Sequence, residues 1–131
     1  MPESATRHLQ VRQEDGVLVL TITDVRVEGE DAAEALRQEM LAAVAEAGAD
    51  KVVVNFQHTR YISSAAFRPL LSLRRRLQEA NGRLMICGLN PVVGDVFYTT
   101  KMVSPDGSSV AVFEMEPTVA AAVARLNRAA G

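Results

Sequence analysis

Between two segments of helical periodicity lies Lys51-Val52-Val53-Val54-Asn55-Phe56, an unbroken β-branched run of strand length. A strand apolar on both faces has to be covered on both, as in the interior of a parallel sheet flanked by helices. Arg83-Leu84-Met85-Ile86-Cys87-Gly88 has the same character. Before the first run, Ala32 to Ala47 places Leu36, Met40, Leu41 and Val44 at three- and four-residue spacing and stops at Gly48, a suitable residue just past a helix end. Between the runs, Ala65 to Asn81 repeats the pattern with Phe67, Leu70, Leu71, Leu73 and Leu77. Strand, helix, strand, helix is the order that forces parallel pairing through right-handed crossovers.

The flanks complete the reading. His8 to Gln13 alternates polar and apolar residues, Glu14-Asp15-Gly16 offers a turn, and Val17 to Thr23 follows, which predicts a hairpin. Pro91 to Thr100 reads as a short helix with Asn90 as its N-cap. Ser104 to Ser109 is rich in turn residues, and Val110 to Met115 is the last predicted strand. Glu116 or Pro117 then opens a terminal helix carrying Val119, Val123 and Leu126. The 131 residues suffice for one domain with its core between about residues 9 and 126. The fold class predicted is α/β in the order β-β-α-β-α-β-α-β-α. Its mostly parallel five-stranded sheet is opened by an antiparallel hairpin, with helices packed on the sheet. Function in such sheets gathers where strands run into helices, here Thr23–Asp31, Gln57–Ala66 and Gly88–Pro91.

Several chemistries lack their residues. Fourteen basic against sixteen acidic side chains leave a net charge of −2, which argues against a phosphate-gripping, nucleic-acid-binding surface. Arg74, Arg75 and Arg76 fan across roughly 200° of a helix and make no single clamp. No glycine-rich phosphate loop follows a strand. His8, read as exposed at the start of the first strand, His58, read as an exposed loop residue, and Cys87, read as core, have no metal-ligand spacing. His58 precedes Ser63 by five residues, but no nucleophile elbow surrounds the serine. The expectation is a non-enzyme without metal or cofactor. No run spans a bilayer and the first residues lack the order of a secretory signal. With one cysteine, a reducing, cytoplasmic setting is expected.

The remaining signal lies in Thr59-Arg60-Tyr61-Ile62-Ser63-Ser64-Ala65-Ala66-Phe67-Arg68-Pro69 and in Gly88-Leu89-Asn90-Pro91-Val92. Together with the element order, these segments resemble the STAS domain, the family of anti-sigma-factor antagonists and sulfate-transporter tails. The family carries Asp-Ser-Ser/Thr-Gly-Leu-Gly at the junction into its second helix and a glycine-strand-Pro-x-Val stretch further on. The resemblance implies a regulatory module that docks on a protein partner, an anti-sigma factor that is also a serine kinase. In that family the partner phosphorylates the junction serine or threonine. Carried over by position, Ser63 falls on the family's Asp, Ser64 on the next residue, and Ala65 on the acceptor itself. Ala66 replaces the glycine and Arg68 the glycine after it. The loop from Asp24 to Glu30 lacks the family's Gly-x-Leu-Asp.

Two readings therefore stand for the serines: N-cap residues satisfying free amides, or phosphorylation moved to Ser64 or Ser63. The docking face expected from the resemblance comprises Arg60, Tyr61, Ser63, Ser64, Ala65, Phe67 and Arg68, with Glu28 and Glu30 from the neighbouring loop. Alternatives are a structural subunit of a transporter or signalling assembly, and a small-ligand binder with a pocket at the junction. Self-association is left open. Pro69 adds a local constraint. In a helix capped at Ser64 it would be the fifth residue and delete a needed amide, so the first turn is irregular or the helix starts later.

Overall fold

The computed structural model of the chain describes residues 8–104, 106, 108 and 111–129. β1 (Leu9–Glu14) and β2 (Val17–Ile22) form the expected hairpin, closed by Asp15 and Gly16, both at positive φ. β3 (Arg26–Val27) leads to α1 (Glu30–Ala47), β4 (Lys51–Asn55) and β5 (Tyr61–Ile62). A single 3-10 turn, Ser64–Ala66, runs into α2 (Phe67–Glu79), followed by β6 (Arg83–Cys87), α3 (Pro91–Thr99), β7 (Glu114–Glu116) and α4 (Val119–Ala129).

The main sheet has the order β1-β2-β4-β6-β7, with β1 antiparallel and the rest parallel. Alternation along each strand divides its side chains between two cores. Leu18, Leu20, Ile22, Val52, Val54, Leu84 and Ile86 meet α1, α2 and α3 on one face. Val17, Val19, Val53 and Met85 meet Ala122, Val123 and Leu126 of α4 on the other. Phe97 of α3 sits at the first core's centre, edge-on to Phe56, Phe67 and Phe113 with ring centroids 5.6, 5.0 and 6.5 Å away.

Some boundaries differ from expectation for identifiable reasons. α1 begins two residues before Ala32, because Glu30 and Asp31 suit the positive end of the helix and Gly29 accepts the Ala33 amide. The last strand is Glu114–Glu116, later than Val110–Met115; Val110 itself lies outside the described residues, as does part of the Ser104–Ser109 loop. α4 starts at Val119, after both Glu116 and Pro117, with the Thr118 hydroxyl accepting the Ala121 amide at 3.1 Å. α2 starts at Phe67, which places Pro69 third in the helix, where no intrahelical amide is needed. The β3–β5 pair, two residues on each side, had no strand signal of its own.

Candidate functional site

The junctions expected to carry function converge at the carboxyl end of the parallel strands. β2 ends in the segment Thr23–Val25, β4 in Phe56–Arg60, and β6 in Gly88–Asn90. Hydrogen bonds between these three segments build a platform. Thr59, fully buried, donates its hydroxyl to the Asp24 carbonyl at 2.8 Å. Asn90 donates its side-chain amide to the Thr59 carbonyl at 2.8 Å while its oxygen caps α3 at the Val93 amide, also 2.8 Å. One asparagine thus fixes a helix start and a neighbouring loop.

Below the platform, Asn55 donates to Gln57 Oε1 at 2.7 Å and Thr21 Oγ1 at 3.3 Å, and accepts the Gln57 amide at 3.1 Å. The Cys87 thiol also points at Asn55 Oδ1, 3.6 Å away. Burial pushes the Cys87 thiol up to about 12, so it is neutral and packs as core, as its place in β6 predicts. On the outer side, His8 sets Nδ1 2.9 Å from both Asp24 carboxylate oxygens, and its backbone amide donates to Glu39 of α1. His8 is therefore half-buried in a polar contact, a correction to its reading as simply exposed, because the Asp24 loop folds back on the strand start.

On this platform stands the two-stranded patch of β3 and β5. The Val25 carbonyl accepts the amides of Arg60 and Tyr61 at 2.7 and 3.2 Å, and Val27 accepts that of Ser63 at 3.0 Å. Arg26 lies over the Tyr61 ring, 4.5 Å from its centroid, and donates Nε to Glu28 at 2.8 Å. Val25 (56% exposed), Tyr61 (38%) and Val92 (58%) are large apolar side chains left uncovered around these loops. Glu30 pairs with Arg68, which ties the start of α1 to the start of α2. Hydrogen bonding to Arg68 holds the Glu30 carboxyl below its ordinary range.

The serines do not cap. The Ser63 hydroxyl accepts the Gly29 amide at 3.4 Å, bracing the entry to α1, and neither serine side chain bonds an amide of the turn or of α2. The 3-10 turn closes through the Ser63 carbonyl and the Ala66 amide at 3.0 Å. Ser64 is exposed, and its hydroxyl has no partner among the described residues. Ala65 beside it is half-buried.

Phe67, expected on the docking face, is 5% exposed and stacks edge-on against Phe97, so it belongs to the core. Arg60, Tyr61, Ser64, Arg68, Glu28 and Glu30 all reach solvent, with Ser63 half-buried among them. The sequence reading placed the Asp24–Glu30 loop, and with it Val25 and Arg26, beside the serines without singling out either residue, and it missed Val92.

A cleft of about 260 Å³ lined by Arg74, Leu77, Arg83, Phe113 and Glu114 lies at the amino end of β6, away from this junction. Arg75 of the arginine triplet is paired with Glu79 at 3.9 Å. No group of His, Cys, Asp and Glu among the described residues could hold a metal ion, and no helix there is long and apolar enough to cross a membrane.

Comparison with known proteins matches the same frame. The family model of the STAS domain matches residues 8–122. BtrV of Bordetella bronchiseptica, provisionally described as an anti-sigma factor antagonist, is 36% identical over 83 residues, which are 63% of this chain and 69% of BtrV. An anti-sigma-factor antagonist STAS protein of Planctomyces limnophilus superposes with a TM-score of 0.73 at 21% identity, over 91% of this chain and 97% of that one. The murine anion transporter Slc26a9 superposes with a TM-score of 0.69 at 12% identity, over 89% of this chain but 18% of the transporter. The last two likenesses are of fold.

Proposed function

Because the chain belongs to the STAS domain family, we propose that it is a non-catalytic regulatory docking module of the anti-sigma-factor-antagonist kind, which engages a protein partner through the β3–β5 patch and the start of α2. The observation that carries the reading is the position of Ser64. It stands exposed on the 3-10 turn between Tyr61 and Arg68, on a platform held rigid from beneath by Thr59 and Asn90. Chemistry at such a site is recognition. Tyr61 with Arg26 offers an aromatic and cationic anchor, Val25 and Val92 offer apolar area, and Arg68 with Glu30 offers paired charge.

The partner this reading names is an anti-sigma factor with serine-kinase activity, and the expected setting is a reducing cytoplasm, which suits the one buried thiol. Ala65 cannot take a phosphate. Ser64 is the hydroxyl within a kinase's reach, since Ser63 is engaged by the Gly29 amide. A phosphate on Ser64 would lie at the positive start of the turn and near Arg68, and would alter the charge shown to the partner.

Calorimetric titration with a cognate anti-sigma kinase, followed by intact mass after incubation with ATP, tests both parts. Binding that Tyr61→Ala and Arg68→Ala each weaken about tenfold or more, with the fold unchanged, supports the docking face. Binding insensitive to both substitutions removes it. A single added phosphate that Ser64→Ala abolishes makes the module switchable, whereas binding without modification makes it a constitutive antagonist. Co-purification with a transporter in place of a kinase would favour the structural-subunit alternative.

A further inference from the structure

We propose that the outer edge of β1 pairs with β1 of a second copy, so that two chains form a symmetric dimer with one continuous sheet. The ladder geometry singles out the groups involved. The Thr23 amide donates to the His8 carbonyl at 3.0 Å, and β1 pairs β2 from Leu9↔Ile22 to Glu14↔Val17 with no bulge. Antiparallel alternation then directs the peptide groups of Gln10, Arg12 and Glu14 into the ladder and those of Leu9, Val11 and Gln13 outward. β1 is a terminal strand, and no described element pairs with its outer side.

The two edges of the sheet are not alike. β7 is three residues long, and its Glu114 and Glu116 are engaged by Arg83 and Arg125. A short, charged edge of this kind resists pairing. β1 is six residues long and contains no lysine, proline, glycine or bulge, and its two charges, Arg12 and Glu14, pair with each other along the strand. At its middle, Val11 is 41% exposed.

Self-complementarity selects a second copy as the occupant. With Val11 opposite Val11 on a two-fold axis, Leu9 faces Gln13 of the second copy, so all three outward residues find partners. The two valines cover one another. Gln10 comes opposite Arg12, whose guanidinium can donate to the amide oxygen. Centring the axis on Arg12 would oppose like charges, and centring it on Gln10 or Gln13 would strand outward peptide groups. This edge is separate from the β3–β5 patch, so the dimer neither requires nor presumes the docking partner.

Sedimentation equilibrium of the full chain alone tests the proposal. The weight-average mass of the wild type should climb from 14.2 kDa toward twice that with concentration. Val11→Pro removes an amide that points away from β2, so the hairpin survives while the dimer loses bonds at its axis. Its mass should stay monomeric with a circular-dichroism spectrum like the wild type's. Val11→Lys leaves the backbone untouched, sets two ammonium groups on the axis, and should raise the dissociation constant by about tenfold or more. It decides the matter if the proline variant folds poorly. A wild type that is monomeric throughout, or a dimer indifferent to Val11→Lys, overturns the proposal.

Discussion

Thr59 and Asp24 are thirty-five residues apart in sequence, yet the buried Thr59 hydroxyl donates to the Asp24 carbonyl at 2.8 Å. This bond joins the loop leaving β4 to the loop leaving β2 and sets the height of β3 beside β5. Thr59→Val keeps the shape but removes the donor, leaving the carbonyl of half-buried Asp24 without its protein partner. The expected cost is about 1–2 kcal/mol in chemical denaturation. Because the Val25 carbonyl holds the Arg60 and Tyr61 amides, their hydrogen exchange should speed up in this variant. Destabilisation with unchanged exchange at those amides would mean the platform does not depend on the bond.

Gly88 ends β6 at φ +76°, and a Cβ placed there would lie 2.5 Å from Asn55 Oδ1 and 2.9 Å from the Gln57 backbone nitrogen. Neither neighbour can move freely, since Asn55 Oδ1 accepts the Gln57 amide and lies against the Cys87 thiol. Gly88→Ala therefore combines left-handed strain with a clash, and should cost about 2–4 kcal/mol. Thermal unfolding reads the effect directly. A midpoint within a degree or so of wild type would show that the loop yields at little cost.

Periodicity revealed the order of elements along the chain because helices and buried strands differ in period, and runs such as Val52–Val54 and Leu36–Met40–Val44 repeat enough to show it. β3 and β5 escaped because two residues cannot display a period, and what makes them strands is the pair of bonds that the Arg60 and Tyr61 amides donate to the Val25 carbonyl across the fold. The candidate site was legible as a region. The exposed members Tyr61, Ser64 and Arg68 could be named from their resemblance to a family motif. Helical spacing had already set Phe67 among the apolar positions of the second helix, and its burial against Phe97 decides for that reading over the docking one. The role of Ser63 was also hidden, because its partner Gly29 belongs to a loop thirty-four residues away.

Cys87 offers a test of the polar layer beneath the site. It is fully buried in β6 and burial pushes its thiol up to about 12. The reactive thiolate is therefore scarce at any pH the fold tolerates. In native protein near pH 8 a small disulfide reagent should label it no faster than the chain opens, and labelling should become immediate in denaturant. Rapid native labelling would show that the region around Asn55 and Cys87 opens locally.

Glu114 carries the clearest pH dependence. Hydrogen bonds from Arg83 hold its carboxyl below the ordinary value of 4.5, against partial burial and with help from Arg125. A lowered carboxyl contributes stability that is present above the unfolded-state value and lost as pH falls through the folded one. The ion pairs with Arg83 and Arg125 should therefore support β7 at neutral pH and fail on acidification from about 4.5 downward. Glu114→Gln removes the charge at every pH. The variant should be less stable than wild type by roughly 1 kcal/mol near pH 7, a modest figure because both arginines reach solvent. The gap should close as pH falls below the carboxylate range, since the wild type then becomes neutral at the same position. Urea denaturation of both proteins across acid and neutral pH measures the gap. A difference independent of pH would assign the loss to packing at the sheet edge and not to the charge of Glu114.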